Sequence, residues 1–137
     1  MAANVPYTYL YRVLRTDEDV RSGGIRAKRP MANYTIEEHV ANGSYMSTQF
    51  ISTTASLESA KDFARKSFGY TPGSRNVARI DTTRLGQSVQ YTDLTNSTVL
   101  YGQIPDDERA QNFARKFNEV VITGHIPANC IDRIFSV

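Results

Sequence analysis

Side chains alternate with period two along Tyr7-Thr8-Tyr9-Leu10-Tyr11-Arg12-Val13-Leu14, the first strongly patterned stretch of the chain. The alternation predicts a strand with Tyr7, Tyr9, Tyr11 and Val13 on one face and Leu10, Arg12 and Leu14 on the other. Arg12 thus stands between apolar neighbours, and a guanidinium in that setting needs an anionic or carbonyl partner. A polar segment from Thr16 to Arg21 leads into a turn at Ser22-Gly23-Gly24. Thr35-Ile36-Glu37-Glu38 reads as a capping box, so a short helix is expected to Ala41, ended by Asn42-Gly43, with His39 near its C-terminal end.

The stretch around which the rest is organised is Gln49-Phe50-Ile51-Ser52-Thr53-Thr54. It predicts a strand with Phe50 and Ser52 on one face and Ile51 and Thr53 on the other. Burying Ile51 then leaves the Ser52 hydroxyl free to face a cleft. Ser56 caps the next helix, with Glu58 near its positive end. That helix is expected to reach Phe68, with Leu57, Ala60, Phe63, Ala64 and Ser67/Phe68 facing inward, and to stop at Gly69. Gly69 to Ser74 has the composition of a mobile loop able to close over a ligand.

From Asn76 onward the pattern is β-rich. Strands are predicted at Val77–Asp81, Ser88–Tyr91 and Thr98–Tyr101, followed by a helix from Asp106 to Phe117 whose apolar face is Ala110, Phe113, Ala114 and Phe117. Glu119–Gly124 returns to strand: Val120 and Ile122 face the core, and Glu119 shares the other face with Val121. Ile131–Val137 is a last strand. Short strands around a few helices predict an α+β fold, two small sheets packed together.

Bulk properties narrow the classes of function. The 137 residues fit one domain with one core, residues 1–137. A net charge of +2 is too small to argue for nucleic acid by itself. The cluster Arg26, Lys28, Arg29 reads either as a solvated loop or as a phosphate- or partner-facing rim. One cysteine rules out an internal disulfide framework, and no Cys/His spacing suits zinc, so no metal is expected. No secretory signal or membrane-spanning run is visible, which implies a cytoplasmic protein, or an effector delivered into a host cytosol. The eight tyrosines, interleaved along strands, suit a cleft that stacks a flat ligand.

Arg12, Ser52 and Glu119 each lie on a predicted strand. With their surroundings they resemble, in order and over nearly the whole chain, the mono-ADP-ribosyltransferases of the cholera-toxin and pertussis-toxin branch. Tyr11-Arg12 is similar to that class's aromatic-Arg on the first strand, and Ser22-Gly23-Gly24-Ile25 to the Gly-Gly turn after it. His39 falls where the branch has a histidine ahead of its central strand. Phe50-Ile51-Ser52-Thr53-Thr54 resembles the Ser-Thr-Ser strand. Glu119-Val120 with Gly124-His125-Ile126-Pro127 resembles the catalytic Glu-Val strand and the Gly-Ile-Pro turn beyond it.

The resemblance implies an ADP-ribosyltransferase-like fold around an NAD cleft, with NAD as substrate and no metal. It implies Glu119 as the catalytic carboxylate, Ser52 as the hydroxyl that holds it, and Arg12 as a ligand of NAD phosphate or ribose oxygens. Val13 would supply a backbone clamp on the carboxamide. Thr53 belongs to the same NAD-binding strand, and His39 would support the first strand or help bind ribose. Phe50, or Phe68 and Tyr70 after the helix, would stack on nicotinamide. Two departures bear on the acceptor. Phe117, beside Asn118, stands where many members carry a second Glu or Gln, and Leu14 stands where they carry an Asp. Arginine-directed transfer is therefore in question, and protein, nucleobase and water all remain as acceptors, with Gln111, Asn112 and Asn118 as polar candidates. A monomer is expected. The alternative is a non-catalytic NAD-binding or protein-interaction module on the same fold.

Overall fold

The computed structural model describes residues 5–43 and 46–137. The strands are β1 (Tyr9–Val13), β2 (Phe50–Thr54), β3 (Asn76–Asp81), β4 (Gln90–Asp93), β5 (Glu119–Thr123) and β6 (Ile131–Ser136). The helices are α1 (Val20–Gly23), α2 (Ile36–Asn42), α3 (Leu57–Arg65), α4 (Ser97–Gln103) and α5 (Glu108–Lys116). All strand pairings are antiparallel, in the order β4-β5-β2-β1-β3-β6.

The α+β class is as expected, and the two-sheet expectation has a specific counterpart. β1 and β2 share a single register pair, Tyr11↔Thr54, whereas β2 and β5 share five. The sheet is therefore two three-stranded halves that meet at one point and then part. Both halves feed a common core: Leu10 and Ile80 from one, Ile51, Val120 and Ile122 from the other, with Ile25 and Ile126. On the opposite face α3 packs Ala60 and Ala64 against Val77, Tyr11 and Val13. Farther along that face α4 and α5 pack Leu100, Ala110 and Ala114 against Val121. The strands part between these two helical layers.

Local chemistry explains the elements. Thr35 Oγ1 accepts from the Glu38 N–H while Glu38 Oε1 accepts from the Thr35 N–H, both at 3.0 Å, the reciprocal box that starts α2. Ser56 and Asp107 cap α3 and α5 through the N–H groups of Ser59 and Ala110. Gly24 has φ of +70°, and a Cβ there would sit 2.1 Å from the Ile126 carbonyl oxygen. The Gly-Gly turn thus seats directly on the Gly124–Pro127 turn, with Ile25 and Ile126 bridged through both backbone groups.

Three expectations are corrected. Thr98–Tyr101 is not a strand but part of α4, because Asn96 Oδ1 caps the Val99 N–H at 3.1 Å and Leu100 is drawn into the core. This local cap overrides the β-branched pair Thr98-Val99. The helix expected to reach Phe68 ends at Arg65. The Ser67 hydroxyl donates to the Ala64 carbonyl at 2.6 Å, and Arg75 donates to Ser67 and to the Phe68 carbonyl, which closes the helix early. Phe68 consequently lies fully exposed rather than on the inward stripe. Val20–Gly23, within and after the stretch read as polar and turn, is a single helical turn that buries Val20. Among the described residues no helix is long and apolar enough to cross a membrane.

Candidate active site

A cleft of about 770 Å³ opens where β1 and β2 part, walled by α2, the first turns of α3, and α5. That volume lies in the range of small-molecule sites. Arg12, Val13, His39, Phe50, Ser52, Thr53, Phe117 and Glu119 all line it.

Arg12 occupies the gap between the strands. Its Nη1 donates to the Ser52 carbonyl at 2.9 Å, and its Nε and Nη2 donate to the two carboxylate oxygens of Glu18 at 3.2 and 3.1 Å. The guanidinium bridges the strands just where backbone pairing lapses. Both partner types required by its position are present, a carbonyl and a carboxylate. Glu18 is itself 5% exposed and also accepts from the Arg15 N–H at 2.8 Å. Of the five guanidinium N–H groups, the three bonds leave one on each terminal nitrogen for a ligand.

Thr54 is registered opposite Glu119, and Ser52 opposite Val121. Ser52 and Glu119 are therefore diagonal neighbours on one face of the β2–β5 pair, a spacing that polar side chains can span. His39 fixes the hydroxyl: its Nε2 pairs with Ser52 Oγ at 2.8 Å and its Nδ1 with Thr48 Oγ1 at 2.7 Å. The ring is buried and meets Phe50 edge-on at 5.4 Å. Burial, with the Arg12 charge nearby, lowers the His39 pKa to about 4, so the imidazole is neutral at physiological pH.

Glu119 is buried, and its Oε2 has no hydrogen-bond partner. Burial raises its pKa to about 8, against the opposing pull of the Ser52 hydroxyl and the Arg12 charge. Few buried polar atoms go unpartnered in a native protein, and the exceptions tend to mark function. Glu119 is held by its neighbour. Asn118 adopts φ of +49°, ends the turn after α5, and donates from Nδ2 to Ser59 Oγ at 2.8 Å, while its carbonyl accepts from the Ala55 N–H. Asn tolerates this conformation better than most residues.

Several sequence-predicted residues are placed elsewhere. Phe68 and Tyr70 lie beyond the C-terminal end of α3 and do not reach the cleft, because α3 ends early. The Asn118 side chain faces Ser59 rather than the cleft. Gln111 donates from Nε2 to the Ile104 carbonyl and Asn112 accepts at Oδ1 from Arg115, so each of the other polar acceptor candidates has one amide atom engaged internally. Tyr11 alone of the described tyrosines lines the cleft, which is therefore not the tyrosine-lined cleft expected. Tyr9 instead stacks under Arg79. Of the basic cluster, Arg26 and Lys28 reach the cleft wall.

Four residues at or beside the site were not singled out from sequence. Arg12's need for an anionic or carbonyl partner was legible, but nothing in the polar segment Thr16 to Arg21 marked Glu18 as that partner. Thr48 carried no signal. Phe63 and Phe113 were read as core from their helical spacing, yet they are 40% and 37% exposed at the mouth of the cleft. No metal-binding cluster of three or more His, Cys, Asp or Glu occurs among the described residues.

The fold is shared with solved toxin structures. EcPltA superposes with a TM-score of 0.66 at 24% identity over 94% of this chain and 75% of that one. The A subunit of a heat-labile enterotoxin mutant, described as having a highly flexible active-site loop, superposes with a TM-score of 0.59 at 20% identity over 93% of this chain and 66% of that one. At such identities the likeness is one of fold, and the fold is the ADP-ribosyltransferase-like one implied by the sequence. No curated protein matches the chain by sequence. A family model matches residues 25–137, everything but β1, α1 and their flanks, and by that match the chain belongs to the family described as Domain of unknown function (DUF7587).

Proposed function

We propose that this chain is an NAD-dependent mono-ADP-ribosyltransferase, which also hydrolyses NAD when water is the acceptor. The observation that carries the reading is the buried, unpartnered Glu119 oxygen in a cleft of suitable volume. Such an atom lacks the hydrogen bond that a ribose hydroxyl would donate, and a carboxylate there offsets the positive charge that develops on the ribose as the nicotinamide bond breaks. Glu119 must be ionised to act. A cationic nicotinamide ring beside it favours the charged form.

The surrounding residues have supporting roles. Ser52, oriented by neutral His39, steadies the carboxylate. Arg12 holds β1 to β2 and offers its two remaining N–H groups to phosphate or ribose oxygens. The backbone at Val13 lies at the cleft wall, where it can take the carboxamide. Phe50, stiffened by His39, is the aromatic candidate for nicotinamide, and Thr53 fixes its strand to β5 through Val120 at 2.6 Å. Glu18 supplies to Arg12 the carboxylate that Leu14 does not.

A non-catalytic NAD-binding module is the second reading, favoured by Phe117 at the acceptor position. Free nicotinamide, followed after mixing the chain with NAD, separates the two. Release by the wild type and its loss in a folded Glu119→Gln variant is the expected result. Equal release by both would remove Glu119 from the mechanism, and no release by either would leave the binding module.

A further inference from the structure

The end of the cleft between α3 and α5 is aromatic and cationic. Phe63 of α3 and Phe113 of α5 meet Phe117 in one cluster, with ring centroids 5.3 Å (Phe63–Phe117) and 4.9 Å (Phe113–Phe117) apart. All three line the cleft, and two stay exposed although buried positions lie close by on the same helices. Lys66 and Lys116 lie over the Phe117 ring, with Nζ atoms 5.9 and 5.4 Å from its centroid. Asp62 pairs with Lys66 at 3.1 Å; Lys116 has no ion pair among the described residues. The nearby Asp107 is engaged as the cap of α5. Lys66 crowds Lys116 enough to lower its pKa, a like-charge contact that an anion would relieve.

We infer that the acceptor is a base of a single-stranded or locally opened nucleic acid, stacked on the Phe63–Phe113–Phe117 cluster with its backbone phosphates against Lys116 and Lys66. This rests on the transferase reading above. Exposed aromatics flanked by cations are a general solution for holding an unpaired strand, the bases stacking on the rings and the phosphates meeting the cations. The same surface disfavours an arginine acceptor. Two ammonium groups repel a guanidinium, Gln111 Nε2, Asn112 Oδ1 and Asn118 Nδ2 are each engaged in internal bonds, and Asp107 on the cleft wall caps α5 through Oδ1. In the reaction the C1′–nicotinamide bond breaks with its electron pair leaving on nicotinamide. A base nitrogen then forms the new bond to C1′, and the proton displaced from that nitrogen passes to solvent.

The test offers the intact chain labelled NAD with single-stranded DNA or RNA of mixed sequence, with duplex DNA, or with a nucleic-acid-free protein mixture. Label on the single-stranded oligonucleotides, falling steeply between about 50 and 200 mM salt, is the expected result. Lys116→Glu should reduce that labelling at least tenfold while nicotinamide release into water stays within about twofold. Label confined to protein, or oligonucleotide labelling indifferent to Lys116→Glu, overturns the inference while leaving the transferase intact. If no nicotinamide is released at all, the transferase reading fails instead. The surface is then judged by anisotropy of a fluorescent oligonucleotide, where no binding, or binding unchanged in Lys116→Glu, overturns it as well.

Discussion

The two ends of the cleft are built on opposite principles. At one end Arg12, Glu18, His39, Thr48 and Ser52 form hydrogen bonds of 2.7–3.2 Å around a carboxyl group with one oxygen left without a partner. At the other, three phenylalanines touch one another, two of them exposed, and the neighbouring amides are turned to structural duty. The polar end has one geometry because each bond constrains the next. The aromatic end constrains by shape and charge and accepts any flat group of suitable size. Under the transferase proposal the contrast is a division of labour: bond breaking is assigned to a fixed charge, and choice of acceptor to a surface that can be altered separately.

The largest effect is expected from Glu119→Gln, which keeps the shape of the side chain and removes its charge. Nicotinamide release should fall by at least 10²-fold. Stability should move the other way. The folded pKa of about 8 stands above the ordinary 4.5, so the carboxyl favours the fold below pH 4.5 and progressively loses that advantage as pH rises through 8. Glu119→Gln should therefore be more stable than wild type at pH 8, by about 4 kcal/mol for a pKa moved from 4.5 to about 8, with the gap closing toward pH 4.5. Equal melting across that range would mean that the burial of Glu119 is not strained. It would weaken the contrast between the two ends.

Next comes Arg12→Ala, which removes the bridge between the halves of the sheet and leaves the Glu18 carboxylate buried alone. A loss of about 3–5 kcal/mol is expected for one partner of a buried pair, read by chemical denaturation. Arg12→Lys keeps the charge but loses the fork, and should recover part of the stability and little of the activity. Phe113→Ala, at the other end, should cost less stability, since its ring is already 37% exposed.

The difference between the ends also explains what could be read from sequence. Arg12 and Ser52 were legible because period-two alternation assigns faces without knowledge of the fold, and an arginine among apolar neighbours announces its need for a partner. Glu119 was legible as a strand residue; its burial without a partner emerges only when β2 and β5 align in the observed register. The capping box of α2 and the cap of α3 are local, and were visible. Phe68 and Tyr70 were misplaced because the end of α3 is set by Arg75, eight residues beyond Ser67, which no helical pattern reports. Thr98–Tyr101 failed because a single Asn96 cap outweighs two β-branched residues. The aromatic cluster escaped notice because Phe63 and Phe113 have the spacing of core residues, and only the assembled helices leave them at an opening.

The pH dependence of nicotinamide release sharpens the comparison. If the polar end governs chemistry, kcat/KM should rise with pH and level off above about 8, following ionisation of Glu119 in the free protein. The limb of kcat should lie lower, since a bound cationic ring favours the carboxylate. His39, already neutral above about 4, should add no limb near neutrality. In stability it acts with the opposite sign to Glu119. Its folded pKa is lowered, so its contribution is present above 6.5 and is lost as pH falls toward 4.

The smallest effect expected at the polar end is that of Ser52→Ala, and it is the most informative about how the charge is tuned. The hydroxyl lies between His39 Nε2 and the Glu119 carboxyl, and it stabilises the ionised form of that carboxyl. Its removal takes away roughly one hydrogen bond, worth about 1 kcal/mol, so nicotinamide release should fall about fivefold at pH 9, where Glu119 is ionised in either protein. At pH 7 the deficit should be larger, because without the hydroxyl the Glu119 pKa moves further up and less carboxylate is present. The kcat/KM limb of the variant should accordingly shift toward alkaline pH. A fivefold loss that is uniform in pH would assign Ser52 to substrate contact alone. A variant as inactive as Glu119→Gln at every pH would mean that the serine does more than steady its neighbour.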